Sequence, residues 1–169
     1  LRTVYGSPTV TAGNSPGLDA GAAAIILMKR KTAEKIGVKP LAVILSVGSA
    51  AREPRRIAEV PPFAIEQALG RAQLNVDDLD LLEINEAFAS MPLVSAKILA
   101  QGNEAKWQEI LNKTNPNGGA IAIGHPVGAS AARIVLHLLH VLERNNAKRG
   151  MASLCIGGGQ GGAMLIERV

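Results

Sequence analysis

Residues 151–166 read MASLCIGGGQGGAMLI: two apolar runs, 151–156 and 163–166, flank a glycine-rich stretch at 157–162. Gly157, Gly159 and Gly162 formally match G-x-G-x-x-G, the fingerprint of a dinucleotide-binding turn. That fingerprint works only after a first strand, at the start of a helix whose N-terminus holds the pyrophosphate, with an acidic residue further on. Here the strand-like residues 163–166 follow directly, so the context is wrong. The stretch reads instead as strand, glycine loop, strand, with Cys155 near the end of the first strand. Glycines in such a loop let a ligand approach the backbone and leave N–H groups able to hold an oxyanion. A lone cysteine is also commonly an inert buried thiol, and spacing alone leaves both readings of Cys155 open.

Upstream, Val135, Leu138, Leu139 and Leu142 mark a helix beginning near Gly128. Residues 118–127 form a turn region punctuated by Gly and Pro, and the polar residues 102–114, with one Trp, read as a surface helix or loop. A further helix is expected from Asn85, with Phe88, Met91 and Ile98 on one side, unless Pro92 kinks or restarts it. Residues 81–84 read as a short strand, and Asp77-Asp78 as a turn before it. Pro61-Pro62 opens a helix with Ile65, Ala68, Leu69 and Ala72 in register. Residues 41–49 are continuously apolar, the pattern of a strand covered on both faces. Earlier still, Ser15-Pro16 reads as a cap and first turn, and Ala20, Ala23, Ala24 and Leu27 as the stripe of a helix that stops at Gly37. Residues 3–13, including Val4, Tyr5 and Val10, look extended. Strands and helices alternate and two strands follow last, which makes a layered α/β fold.

The composition narrows the function classes. Of 169 residues, 47% are hydrophobic, which supports a globular core. Aromatics amount to only 2%, too few for base-stacking surfaces, and no nucleic-acid module signature appears. The net charge of +4 is spread over small groups such as Lys29-Arg30-Lys31 and Arg55-Arg56, a pattern of solvated helix ends or of attraction for an anionic ligand. One cysteine excludes an internal disulfide, which fits a reducing compartment such as the cytoplasm. No apolar run approaches the roughly 20 residues of a membrane span.

Two further clusters carry chemistry. His125 lies between Gly124 and Pro126, in a loop rather than on an apolar helix face. Pro126 restricts it, and the ring suits proton transfer, oxyanion stabilisation or a plain turn hydrogen bond. Asn85 and Glu86 sit where a strand ends, the face on which α/β proteins usually build sites. Asn85 could equally be a helix N-cap, with Glu86 favoured by the helix dipole. His137 and His140 read as helix-face residues, and no ligand cluster supports a metal site.

Taken together, these clusters resemble the C-terminal signatures of the thiolase family. The matching segments are Asn85-Glu86-Ala87-Phe88-Ala89, then Asn117-Gly118-Gly119-Ala120-Ile121-Ala122-Ile123-Gly124-His125-Pro126 with Gly128-Ala129-Ser130, then Cys155-Ile156-Gly157-Gly158-Gly159. Thr11-Ala12-Gly13-Asn14 and Gly21-Ala22-Ala23-Ala24 look like the segment that closes the first thiolase half. The resemblance implies a layered α-β-α fold with a mixed sheet, residues 1–37 ending the first half as strand plus helix and residues 38–169 forming the C-terminal domain.

It also implies reversible Claisen condensation of acyl-CoA thioesters, most simply two acetyl-CoA giving acetoacetyl-CoA and CoA. Cys155 would be the acid/base at the α carbon. His125 would help activate a nucleophilic cysteine and donate into one oxyanion hole, where Asn85 would hold a water. The Gly157 N–H would serve a second hole. Phe88 and Ser15 would contact substrate; Pro16 stands where similar thiolases often place a serine for the pantetheine arm. No cofactor or metal is implied, coenzyme A thioesters being the substrates. The nucleophilic cysteine belongs to the first thiolase half and is absent from this sequence. The expectation is therefore a cytoplasmic hetero-oligomer in which a separate N-terminal half supplies it, without nucleic acid or membrane. The alternatives are a fragment of a single-chain 3-ketoacyl-CoA thiolase and a non-catalytic CoA-binding or scaffold subunit.

Overall fold

The computed structural model describes residues 1–4 and 6–169; Tyr5, within the stretch expected to be extended, lies outside the described residues. Along the chain run α1 (Arg30–Ile36), β1 (Ala42–Ala51), α2 (Val60–Ala72), β2 (Leu81–Ile84), α3 (Ser90–Leu99), α4 (Glu104–Asn112), α5 (Ala120–Ile123), α6 (Ser130–Arg144), β3 (Arg149–Ile156) and β4 (Gln160–Arg168). The strands form one sheet in the order β1-β4-β3-β2, antiparallel at β1/β4 and β4/β3 and parallel at β3/β2. This is the mixed α/β arrangement expected from the sequence.

Alternation along the strands builds a core on each face. On one face Leu82 and Ile84 of β2, Met151 of β3 and Ala163 and Leu165 of β4 pack with Ile65, Ala68 and Leu69 of α2 and with residues of α3 and α4. On the other, Leu81, Ala152 and Ile166 meet Ile134, Leu138, Val141 and Leu142 of α6. The β3–β4 hairpin is therefore central, covered by helices above and below. Its turn needs glycine: Gly158 and Gly159 have φ of 80° and 77°. The turn is pinned to the loop after β1, where the Arg52 N–H donates to the Gly159 carbonyl at 2.8 Å.

Helix α2 begins as the two prolines predict, since the first-turn N–H groups they lack have no intrahelical partner. It ends at Gln73, which adopts the left-handed conformation with φ 56°. Small residues let it lie close on β1. A side chain at Gly48 would collide with the carbonyl oxygen of Ala64. The Ser46 hydroxyl donates to Ala68 O at 2.7 Å, and Gln67 and Arg71 reach backbone groups of Ser49 and Val47.

Four expectations need correction. Strand β1 is not covered on both faces: it is an edge strand with α2 on one side, and Ile44, Leu45 and Val47 are exposed. An apolar run reports that a surface wants covering, not that this chain covers it. The helix expected from Pro16 to Gly37 forms only over its last seven residues, as α1. Of the stripe, Ala20, Ala24 and Leu27 are exposed, Leu27 at 68%, and a helix with so few tertiary contacts is marginal. Among the described residues, the extended region near the start reduces to one bridge, Thr3 to Thr11. Helix α3 starts at Ser90 rather than Asn85, which puts Pro92 in its first turn, where it breaks no hydrogen bond.

Candidate active site

The carboxyl ends of the parallel pair β2 and β3 lie side by side, and the Asn85 N–H continues the ladder to Ser153 O at 2.9 Å. Asn85 is thus an extension of β2, 2% exposed, and not a helix cap. Its position is reinforced from the far edge of β2. Asn115 accepts from Ile84 N through Oδ1 and donates to Ile84 O through Nδ2, at 2.8 and 2.9 Å, replacing a neighbouring strand.

His125 follows α5, and its N–H donates to Gly17 O at 2.9 Å. Its ring reaches Asn85, with 3.3 Å between Asn85 Nδ2 and His125 Nε2. The other ring nitrogen, Nδ1, is 2.6 Å from Ser130 Oγ. Asn85 Nδ2 can only donate to Nε2, and the Pro126 carbonyl, 3.1 Å from Ser130 Oγ, can only accept, so all three contacts are satisfied together with the ring proton on Nδ1, donating to Ser130 Oγ. The imidazole is therefore held with a bare Nε2. Burial, then the nearby Arg133 charge, holds its pKa below the usual histidine value, which keeps the ring neutral. A neutral ring with an unprotonated Nε2 can take a proton and, once charged, donate to an oxyanion.

Glu86 ties the two loops together. Its Oε2 accepts from Ile121 N at 3.0 Å in the first turn of α5, and Oε1 lies 3.5 Å from Asn115 Nδ2. Glu86 does sit at a helix N-terminus, but the helix it serves is α5 and not the one that follows it in sequence.

Cys155 stands near the end of β3, part-buried, paired across to Gly161. Burial pushes its thiol up from the ordinary cysteine value, so it rests as a protonated thiol, the state that delivers a proton. Among the described residues its thiol makes no hydrogen bond to Asn85 or His125. Gly157 is the exposed first residue of the turn after β3, and its carbonyl accepts from Gln160 at 3.3 Å. Phe88 is half-buried just before α3. The Ser15 Oγ is buried and lacks a hydrogen-bond partner among the described residues.

The segment before α1 lies across this region. Asn14 O accepts from Ala89 N at 3.0 Å, and Gly17 O takes the His125 N–H. An open cleft of about 450 Å³ lies between residues 19–23 and the stretch from Pro126 into the first turn of α6 at Ala132, next to His125. Glu83, Asn115, Ser130 and Arg133 were given no role from sequence. For Glu83 the period-2 spacing was a usable signal, because a carboxylate two residues before Asn85 shares its sheet face. No group of three or more His, Cys, Asp or Glu suited to a metal occurs among the described residues, and no helix there is long and apolar enough to cross a membrane.

Comparison with known proteins accords with this geometry. The family described as thiolase, C-terminal domain, matches residues 38–168. An acetyl-CoA acetyltransferase of Chromobacterium violaceum is 48% identical over 160 residues, covering 95% of this chain and 39% of that protein. A beta-ketoadipyl-CoA thiolase of Pseudomonas aeruginosa is 45% identical over 170 residues, covering 100% and 41%. The crystal structure of the Bacillus anthracis acetyl-CoA acetyltransferase superposes with a TM-score of 0.87 at 40% identity, covering 95% of this chain and 39% of that one. The chain thus spans about two fifths of the length of the relatives it matches.

Proposed function

The chain belongs to the thiolase family, and we propose that it supplies the acid–base half of a thiolase active site whose nucleophilic cysteine lies on a separate N-terminal half. The observation that carries this reading is the Asn85–His125 contact, 3.3 Å long, with the ring fixed as the acceptor tautomer by Ser130 beside the strand that bears Cys155.

The reaction is reversible Claisen condensation. A nucleophilic thiolate, its proton taken with the help of His125 Nε2, attacks an acyl-CoA; a new S–C bond forms and the CoA sulfur leaves with the proton of Cys155. Cys155, as thiolate, then removes the α proton of a second acyl-CoA. The enolate carbon bonds to the acyl carbon and the enzyme's nucleophilic sulfur departs. Protonated His125 and the Asn85 amide, through a water, bear on one oxyanion, and the Gly157 N–H on the other. Each such donor is worth about 3 kcal/mol at the transition state. Phe88 and the unpartnered Ser15 Oγ line the thioester path. Acetyl-CoA is the simplest substrate.

Several features fit a missing half. Leu18, Ile26 and Leu27 before α1 and Ile44, Leu45 and Val47 on β1 form exposed apolar material beyond what scattered surface residues give. A hetero-oligomer that covers it is the expected working form, and a chain with no disulfide suits the cytoplasm. The span of two fifths of its relatives favours a second reading, in which both halves belong to one polypeptide. An encoding frame that runs upstream into a cysteine-bearing half decides for it. The test of the activity is acetoacetyl-CoA thiolysis by this chain combined with the N-terminal half. Full rates from the chain alone, or none from the combination, overturn the proposal.

A further inference from the structure

An asparagine amide is nearly symmetric in shape, so packing alone does not decide which end is oxygen. At Asn85 the choice matters, because only Nδ2 can donate toward His125 and the reacting atoms. Three side chains of α6 and one of β2 surround this choice. Arg133 Nη2 is 3.4 Å from Asn85 Oδ1. A guanidinium only donates, so an amide turned the other way would set NH₂ against NH₂ at a position 2% exposed. Ser130, one helical turn before Arg133, fixes the imidazole on the same face of α6.

Behind the pair, Glu83 points to the same side of β2 as Asn85 and is 2% exposed. Its Oε1 lies 3.1 Å from His137 Nδ1 without making a hydrogen bond, and Arg133 Nε is likewise buried without a partner among the described residues. Burial pushes the Glu83 carboxyl up to about 8, against the pull of Arg133 and with the push of Glu86. At neutral pH it therefore stays largely protonated and leaves the guanidinium to Asn85.

We propose that Arg133 is a positioning residue: it fixes the orientation of the Asn85 amide so that Nδ2 faces the reacting atoms. This rests on the thiolase reading, and the experiment separates the two. In the assembled enzyme, Arg133→Met keeps the stem of the side chain and removes the donors. The expected result is a fall in kcat of about 100-fold, the scale of a lost oxyanion donor, with KM for acetoacetyl-CoA within threefold. Arg133→Lys, which restores a donor, should recover at least tenfold of that loss. Arg133→Met with kcat within threefold of wild type overturns the proposal, as does a lysine variant no better than methionine. If the methionine variant does not fold, as read from its circular dichroism, Arg133→Lys decides alone: a fall in kcat of up to about tenfold with KM within threefold supports positioning, and a greater fall in kcat, or a change in KM alone, refutes it. An inactive wild-type assembly refutes the thiolase reading instead.

Discussion

Ser130 Oγ accepts from His125 Nδ1 at 2.6 Å while spending its own proton on Pro126 O. The hydroxyl is wholly buried, so nothing from solvent can take its place. Ser130→Ala should leave Nδ1–H without a partner, at a cost of about 1–3 kcal/mol, and free the ring to change tautomer. The expected outcome in the assembled enzyme is a roughly tenfold or greater loss in kcat with little change in KM, read from steady-state thiolysis.

Glu83 makes stability depend on pH in a direction opposite to that of a salt-bridged carboxylate. Its folded pKa of about 8 lies above the ordinary value of 4.5 because burial penalises the charge. The folded state is therefore favoured most below pH 4.5, and this contribution is lost as pH rises through 8. His137, Arg133 and Glu86 face the same carboxyl and modulate the loss. Glu83→Gln, which stays neutral, should raise the melting temperature at pH 8.5 and change it little at pH 5. Equal shifts at both pH values would rule out this account.

Cys155 offers a chemical readout. Because burial raises its pKa, alkylation by iodoacetamide should be slow at pH 7 in the chain alone and should accelerate toward the alkaline range. Mass spectrometry reports the rate directly, since this is the sole cysteine. A thiol that reacts at pH 7 as fast as free cysteine contradicts the assignment of a protonated resting state.

Gly48 tests the packing that sets the sheet against α2. With the Ala64 carbonyl in the way, Gly48→Ala forces helix and strand apart rather than displacing a pliable side chain. The expected cost is about 2–3 kcal/mol, seen as a lower urea midpoint of the assembled protein.

Residues whose surroundings lie within this chain were legible in sequence. The 151–166 hairpin, the α6 stripe and the proline start of α2 all formed because their apolar faces meet one another here. The failures share one cause. Ala20, Ala23, Ala24 and Leu27 have helical spacing, and residues 41–49 have the look of a doubly covered strand, yet periodicity cannot say which molecule does the covering. At the site, loop context drew attention to His125, and strand-end context to Asn85. Ser130 and Arg133 are ordinary polar residues on a helix and acquire their roles only when α6 docks beside β2, a relation spread over nearly 50 residues of chain. Glu86 was read against the wrong helix because α5, only four residues long, has no periodicity to detect.

The hydrogen bond from the His125 N–H to Gly17 O has a mechanical meaning. The peptide that carries the imidazole is moored to the start of a strand of chain, residues 18–29, that has no regular structure of its own here. Any surface that grips that rope and winds it into order transmits its pull to the imidazole loop. A surface that orders residues 18–29 therefore reaches the imidazole through the backbone, without touching the ring itself.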